Sequence, residues 1–201
     1  MRILVTTKPV NHFLCSIQHF HAHRSFSFDT IAASGEHSAM PHAIPTDKKL
    51  EKGDFLTMDF GCLYQGYCSD MTRTVALGSI DDEQKKVYDT VLKAQLACCG
   101  FAKAGYKGCE VDKVARDHIT EGGYGPYFTH RLGHGIGLEC HEPPDVSAGS
   151  DAIAEPGMVF SIEPGIYLPG RTGVRIEDLV LVTETGCEVL NAAPKDLRVV
   201  G

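Results

Sequence analysis

The order of the predicted elements most constrains the fold of this chain of 201 residues. Strand-like segments joined by tight turns come first, two helical segments follow, and further strands complete the chain. Strands joined by tight turns pair antiparallel, whereas a doubly wound fold needs a helix between successive strands. The chain is therefore predicted to be an α+β protein with an antiparallel sheet.

The strands are predicted from apolar runs that end at turn signals. One short strand runs from Asp29 towards Gly35, and a longer one covers residues 55–61. Gln65-Gly66 predicts a hairpin turn, and residues 67–77 form the return strand. After the helices, strands are expected over residues 158–162, 165–169, 174–183 and 187–190.

Two amphipathic helices are expected between these groups of strands. Ser79 and Asp82 are predicted to form a capping box for the first helix, which should end near Gly105. Its apolar face comprises Val87, Val91, Cys98 and Ala102. The second helix is predicted over residues 110–121, and its inward-facing residues are Val111, Val114, Ala115, His118 and Ile119. His118 is interpreted as a packing residue of the core or of its edge.

The composition excludes several classes of protein. Hydrophobic residues make up 43% of the chain and charged residues 22%, which is typical of soluble globular proteins. The net charge of -7 argues against nucleic-acid binding, which needs a basic surface. No run of eighteen apolar residues predicts a membrane span, and the start of the chain does not resemble a signal peptide. The eight cysteines form no CxxC pair, which indicates reduced thiols and a cytoplasmic location.

Residues 1–25 follow neither a helical nor a strand period. We expect an atypical, weakly ordered N-terminal segment there, and a single functional domain over residues 26–201. The alternative for this segment is metal binding by a cluster of four histidines, His12, His19, His21 and His23.

The stretch from residue 129 to residue 144 is rich in glycine and histidine. His130, His134 and His141 lie within twelve residues, and glycines at 133, 135 and 137 separate them. Glycine lets other atoms approach the backbone closely, and histidine is the commonest metal ligand. The stretch predicts that one histidine binds a metal and that the others contact a substrate.

Four acidic residues occupy strand positions at which an unpaired charge is costly. With a two-residue turn at Gln65-Gly66, Asp59 lies opposite Thr72 and diagonal to Asp70, on one face of the sheet. Glu163 and Glu177 supply two further carboxylates from the second group of strands. Together with one histidine they make a mixed oxygen and nitrogen set, which suits two divalent ions.

Each of these features has an ordinary explanation when it is taken alone. An aspartate at a strand end is usually solvated, a strand glutamate beside an arginine usually forms a salt bridge, and His134 fits a core histidine. The order Asp, Asp, glycine-rich His, Glu-Pro, Arg-x-Glu is more specific than its parts.

Over residues 26–195 the chain resembles metallopeptidase family M24, whose members have the pita-bread fold. Within the family it is similar to the proline-specific branch of Xaa-Pro aminopeptidases and Xaa-Pro dipeptidases (prolidases). The motifs that carry the resemblance are Ser-Gly-Glu-His-Ser-Ala-Met-Pro-His42, Met-Asp59-Phe-Gly, Ser-Asp70-Met-Thr-Arg-Thr, His130-Arg-Leu-Gly-His134-Gly-Ile-Gly, His141-Glu-Pro-Pro, Ser-Ile-Glu163-Pro-Gly-Ile-Tyr and Val-Arg-Ile-Glu177-Asp.

The resemblance implies a curved antiparallel sheet, flanked by helices, that holds two divalent ions. Asp59 would bind one ion, Asp70 and Glu177 would bridge both, and the other ion would be held by His134 and Glu163. Arg175 would orient a bridging carboxylate from behind. Manganese is the first expectation for the metal, with cobalt, zinc and iron as alternatives.

The resemblance also implies a reaction, hydrolysis of the Xaa-Pro bond at the N-terminus of peptides or dipeptides. Glu163 would be the general base towards a hydroxide held between the ions. His42 and His141 would contact the peptide group and the tetrahedral intermediate, and His130 would shape the pocket for proline. The alternatives are a methionine aminopeptidase, which shares the five ligands, and a catalytically impaired binding module.

Members of this branch usually carry an N-terminal domain and an opening amphipathic helix, and neither is recognised in this sequence. We therefore expect an altered or truncated start, which keeps the impaired alternative open through poorer folding. A homodimer is a further expectation from the resemblance. No nucleic acid or membrane partner is expected.

Overall fold

The computed structural model of the chain describes residues 25–201. Within this part, two helices lie between two groups of strands, and the predicted α+β arrangement with antiparallel sheets is confirmed. The prediction of an atypical segment over residues 1–25, including its histidine cluster, lies outside the described residues apart from Ser25.

The first group of strands precedes the helices. It comprises β1 (Ser25–Phe26), β2 (Ile31–Ser34), β3 (Phe55–Phe60), β4 (Cys62–Tyr64), β5 (Tyr67–Cys68) and β6 (Met71–Leu77). Strand β3 lies between β2 and β6, and β4 lies between β1 and β5. The predicted return strand over residues 67–77 is thus divided into β5 and β6.

The hairpin turn at Gln65-Gly66 is confirmed. Gln65 has φ 50° and Gly66 has φ 86°, as a type I′ turn requires at both central positions. Because the turn fixes the register of the strands, Asp59 lies directly opposite Thr72, as predicted. Asp70 therefore approaches the same end of the hairpin.

Two helices follow the hairpin, α1 (Asp82–Phe101) and α2 (Gly108–Glu121). The predicted capping box of α1 is wrong by two residues, because the reciprocal bonds join Asp81 and Gln84. Both pairs have the required three-residue spacing, but only the second has the glutamine or glutamate that a capping box uses at its last position. The helix ends at Phe101 rather than near Gly105, since Ala102 is already extended.

The apolar faces of the two helices form the core with the sheets. All four residues predicted for the face of α1 are fully buried. On α2, Val111, Ala115 and Ile119 are buried as predicted, whereas His118 is exposed and its inward assignment is wrong. Asp112 is fully buried instead. Its burial is possible because a neighbouring arginine pairs with its charge.

Eight strands follow the helices. They are β7 (Gly133–Gly135), β8 (Glu142–Val146), β9 (Val159–Ile162), β10 (Gly165–Leu168), β11 (Thr172–Arg175), β12 (Asp178–Val182), β13 (Cys187–Val189) and β14 (Val199–Val200). The order β13-β12-β9-β7-β8 makes one sheet, and β10 pairs with β11. In the described part of the chain, the pairing of β14 with β6 is the one parallel pairing.

The predicted single strand over residues 174–183 is wrong, because β11 and β12 are separate strands. Strand β11 pairs with β10 and strand β12 pairs with β9, so the chain changes partners at Ile176 and Glu177. The backbone N–H of Glu177 donates instead to the carbonyl oxygen of Thr72, at 3.1 Å. This break places Glu177 between the two groups of strands.

No helix among the described residues is both long and apolar enough to cross a membrane.

A buried ionic network joins the two groups of strands to α1. Asp178 is fully buried and accepts hydrogen bonds from Arg73 Nη2 at 2.6 Å and Lys195 Nζ at 2.6 Å. Gln95 Nε2 on α1 donates to the same carboxylate at 3.0 Å. Since each buried charge has a partner, the network tolerates little change on either side.

The variant Asp178→Ala is expected to lower the free energy of unfolding by about 3–5 kcal/mol, because it leaves the buried charge of Arg73 unpaired. Urea denaturation followed by circular dichroism measures the loss. The matched control is Asp117→Ala, which removes the partner of Lys113 from an exposed pair on α2. That change is expected to cost less than about 1 kcal/mol. Equal losses in the two variants would contradict the role of the network.

Candidate metal centre

The structure brings all nine predicted site residues together around one cavity of about 600 Å³. They are Asp59, Asp70, His134, Glu163, Glu177, Arg175, His42, His130 and His141. The carboxylates come from both groups of strands, and His134 comes from β7. The cavity therefore lies where the two groups meet.

His134 presents one ring nitrogen to the carboxylates. Its Nδ1 atom lies 3.1 Å from the carbonyl oxygen of Gly135, which can only accept, so Nδ1 carries the proton. Its Nε2 atom lies 3.3 Å from Glu163 Oε1 and 3.9 Å from Asp70 Oδ2. Burial lowers the pKa of His134 to about 4. A neutral imidazole whose free lone pair faces two carboxylates is suited to a cation.

Three buried carboxylate oxygens find no hydrogen-bond partner within residues 25–201. They are Asp59 Oδ1, Asp70 Oδ1 and Glu177 Oε1. Ligand atoms of Asp70, His134 and Glu177 all lie within 4.8 Å of one another. Buried acceptors without donors are costly in a protein interior, and a divalent cation among them would satisfy them. The residues present therefore fit a metal centre.

Three acidic groups of the cavity, Asp70, Glu163 and Glu177, have raised pKa values. Burial, together with the charges of Asp59 and Glu163, raises the pKa of Asp70 to about 9. Burial likewise raises the pKa of Glu163 to about 7 and that of Glu177 well above its usual value. Protons and cations therefore compete for this cluster, because either one relieves the repulsion between the carboxylates.

Arg175 lies behind the carboxylates and is almost fully buried. Its Nη2 atom donates to Asp59 Oδ2 at 2.7 Å, and its Nε atom donates to Thr72 Oγ1 at 3.1 Å. The Thr72 hydroxyl in turn donates to Glu177 Oε2 at 2.5 Å. Arg175 thus reaches Asp59 directly and Glu177 through Thr72. Sequence reasoning missed Thr72 as a site residue, although the hairpin register already placed it opposite Asp59.

The three remaining histidines differ in their surroundings. His42 and His141 are exposed, and the ring of His141 meets the ring of His134 edge-on with centroids 4.2 Å apart. His130 is held more firmly, since its Nδ1 atom lies 2.7 Å from Arg131 O and its Nε2 atom lies 2.8 Å from the Tyr167 hydroxyl.

Tyr167 is a second residue that sequence reasoning missed, although it ends the Glu-Pro-Gly-Ile-Tyr motif. Its hydroxyl accepts from Arg175 Nη1 at 3.0 Å, because a guanidinium can only donate. The Tyr167 proton is therefore free for His130 Nε2. Tyr167 therefore connects Arg175, which lies behind the carboxylates, to His130 in the cavity wall.

The glycines around His134 allow strands to approach closely. A Cβ atom on Gly133 would overlap with the carbonyl oxygen of Ser161 on β9, and one on Gly135 would overlap with that of Pro143 on β8. The Ser161 hydroxyl accepts from the backbone N–H of His134 at 3.0 Å. Only glycine on either side lets His134 sit this deep between its neighbouring strands.

Comparison with known proteins gives consistent matches. The sequence model of metallopeptidase family M24 matches residues 5–184 of the chain. The Xaa-Pro dipeptidase of Pyrococcus furiosus is 48% identical over 171 residues, which are 85% of this chain and 49% of that protein. Among solved structures, an Xaa-Pro dipeptidase from Bacillus anthracis superposes with a TM-score of 0.96 at 49% identity. The superposition covers 100% of this chain and 56% of the dipeptidase chain.

A further solved structure, the X-Pro aminopeptidase from Thermotoga maritima, superposes with a TM-score of 0.94 at 45% identity. The superposition covers 100% of this chain and 57% of the aminopeptidase chain. These superpositions confirm the predicted pita-bread fold. The chain spans about half the length of the curated relatives that it matches.

Without metal, the contribution of Asp70 to stability is expected to fall as the pH rises from about 4 to about 9. The folded state keeps the Asp70 proton, whose pKa is about 9, whereas the unfolded chain releases it near the ordinary value of 3.8. Adding Mn²⁺ should therefore raise the midpoint of thermal unfolding more at pH 8 than at pH 5.5. Scans in EDTA and in Mn²⁺ at both pH values measure this.

The variant Asp70→Asn should flatten the pH dependence of the metal-free protein and weaken the response to Mn²⁺. Asp117→Asn, on the exposed face of α2, should leave both unchanged. A Mn²⁺ response that is equal at the two pH values would argue against competition between protons and cations.

Proposed function

The chain belongs to metallopeptidase family M24, and on that premise we propose that it carries the catalytic unit of a metal-dependent exopeptidase over residues 26–201. The proposed reaction is hydrolysis of the Xaa-Pro bond at the N-terminus of peptides or dipeptides. The observation that carries the proposal is the convergence of nine motif residues on one cavity with unpartnered buried carboxylates. The Xaa-Pro dipeptidase and X-Pro aminopeptidase relatives support the substrate class.

Five residues would hold two divalent ions, namely Asp59, Asp70, His134, Glu163 and Glu177. When bound, the ions would lower the pKa of a water molecule and polarise the scissile carbonyl group. Manganese is our first choice of metal, and a set of four carboxylates with one imidazole also suits cobalt, iron or zinc.

Glu163 is proposed as the general base. It takes the proton of the attacking water and passes it to the imino nitrogen of the leaving proline. Two observations support this assignment. Its side chain keeps 16% of its surface exposed, against 13% for Asp59 and 6% for Asp70. Its Oε1 atom is fixed by the Ser161 hydroxyl at 3.1 Å.

The histidines take different roles in this proposal. His42 and His141 are exposed in the cavity wall, so their ring nitrogens are available to the peptide group and to the charge that develops on it. His130 has both ring nitrogens engaged with neighbours. It would therefore offer the proline ring a fixed surface rather than exchange protons.

Arg175 is proposed to hold Asp59 and Glu177 in place as ligands. Since it carries a permanent positive charge beside two carboxylates, it also offsets part of their repulsion. The homodimer and the cytoplasmic location stay predictions of the sequence.

The variant Glu163→Gln is expected to lower kcat for Ala-Pro by at least about 10²–10⁴-fold, because the amide cannot accept the water proton. Hydrolysis of Ala-Pro in Mn²⁺ measures the loss. The matched control is Glu155→Gln at an exposed turn, which should retain normal turnover. A Glu163→Gln variant with near-normal kcat would refute the assignment of the base.

Substrate preference separates this proposal from a methionine aminopeptidase. We expect faster cleavage of Ala-Pro than of Met-Ala, because the His130 side of the cavity would receive a proline ring. His134→Ala should abolish both activities, whereas the exposed His118→Ala should leave kcat unchanged. Preference for Met-Ala would overturn the choice of substrate. A folded chain that binds Mn²⁺ and cleaves neither peptide would favour the binding module.

A further inference from the structure

Helix α2 carries an ion pair that contacts the chain just before the candidate metal centre. Asp112 is fully buried, and its carboxylate accepts from Arg116 Nε at 2.5 Å and from Arg116 Nη2 at 3.1 Å. The residues are four apart and so lie on one face of the helix. The pair is therefore bidentate, and its carboxylate is shielded from water.

Arg116 binds the chain that leads to His130. Its Nη2 atom donates to His130 O at 2.7 Å, and its Nη1 atom donates to Phe128 O at 3.2 Å. The guanidinium also lies over the Phe128 ring, 4.5 Å from its centroid. The same ring meets the imidazole of His130 edge-on, at 5.2 Å between centroids. Arg116 thus fixes the backbone on which the His130 ring is carried.

Asp112 binds the next peptide group along. Its Oδ1 atom accepts from the backbone N–H of Leu132 at 3.1 Å. The carbonyl oxygen of Leu132 in turn accepts from the backbone N–H of Glu163 at 2.9 Å. Leu132 therefore links the carboxylate on α2 to the backbone of the proposed general base.

We propose that Asp112 and Arg116 are positioning residues that set the placement of His130 and Glu163 relative to the bound substrate. The proposal rests on the exopeptidase function proposed above. Neither residue lines the cavity, so they act through the backbone of residues 128–132 rather than on the substrate. Small errors in the placement of reacting groups are costly, about 10²-fold in rate for a shift of about 1 Å.

The geometry of Arg116 separates this role from simple stabilisation. Its guanidinium contacts the carboxylate of Asp112 and two backbone carbonyls at once. Lysine would keep the positive charge and the apolar stem, but a single ammonium group cannot reproduce this planar fork. Arg116→Lys should therefore keep most of the stability of the ion pair and lose the placement of His130.

The experiment compares Arg116→Lys, Asp112→Asn and the matched control Lys113→Arg, which lies on the exposed face of the same helix. Each folded variant is assayed with Ala-Pro in Mn²⁺, and its thermal midpoint is recorded. The ¹⁵N NMR signals of the His130 imidazole report the hydrogen bonds of Nδ1 and Nε2. We expect Arg116→Lys to lose about 10–100-fold in kcat/KM and to shift the His130 signals, with a midpoint within a few degrees of the parent.

Asp112→Asn should lose activity in the same way but with a lower midpoint, because it leaves Arg116 without its counter-charge. Lys113→Arg should match the parent in all three readouts. The proposal is overturned if Arg116→Lys keeps normal kcat/KM and unchanged His130 signals. If the parent chain itself does not cleave Ala-Pro, the proposed function fails, and the NMR signals alone then decide whether the pair positions His130.

Discussion

Acidic side chains that repel one another are buried around a single cavity, and the rest of the structure is arranged to hold them there. Asp70 is 5% exposed and Glu177 is 1% exposed, so neither charge is stabilised by water. Burial and mutual repulsion raise the pKa of both groups. Arg175 offsets part of this cost through direct contact with Asp59, and cations would offset more of it.

Two adjacent acidic residues at the start of β12 belong to two different buried networks. Glu177 faces the cavity, whereas Asp178 pairs with Arg73 and Lys195 in the core. The break between β11 and β12 lets one carboxylate serve the candidate centre and the next one tie the sheets to α1. Because the two buried networks share this break, the position of Glu177 depends on the ion pairs of its neighbour.

Helix α2 is likewise tied to the candidate metal centre, through the backbone segment that precedes His134. Its ion pair fixes the backbone before β7, and the glycines at 133 and 135 then let His134 enter between two strands. The predicted apolar face of the helix is correct at Val111, Ala115 and Ile119. It did not indicate Asp112, because burial of an aspartate depends on a partner that periodicity does not reveal.

Much of the candidate site could be predicted from local features. The Gln65-Gly66 turn sets the hairpin register through its own backbone angles, so the opposition of Asp59 and Thr72 was predictable. The start of α1 was predicted two residues too early, because the pair was chosen by its spacing and not by the glutamine that a capping box uses at its last position. The continuous strand over residues 174–183 was also wrong, since each half pairs with a different neighbour.

The sequence by itself determined the types of side chain at the candidate centre and the family to which the chain belongs, because these are carried by short motifs. Only the tertiary structure decided how the motifs are joined. Thr72 and Glu177 are 105 residues apart, and Arg175 and Asp59 are 116 residues apart. Contacts at such separations depend on how the sheets and helices pack together, which no local pattern records.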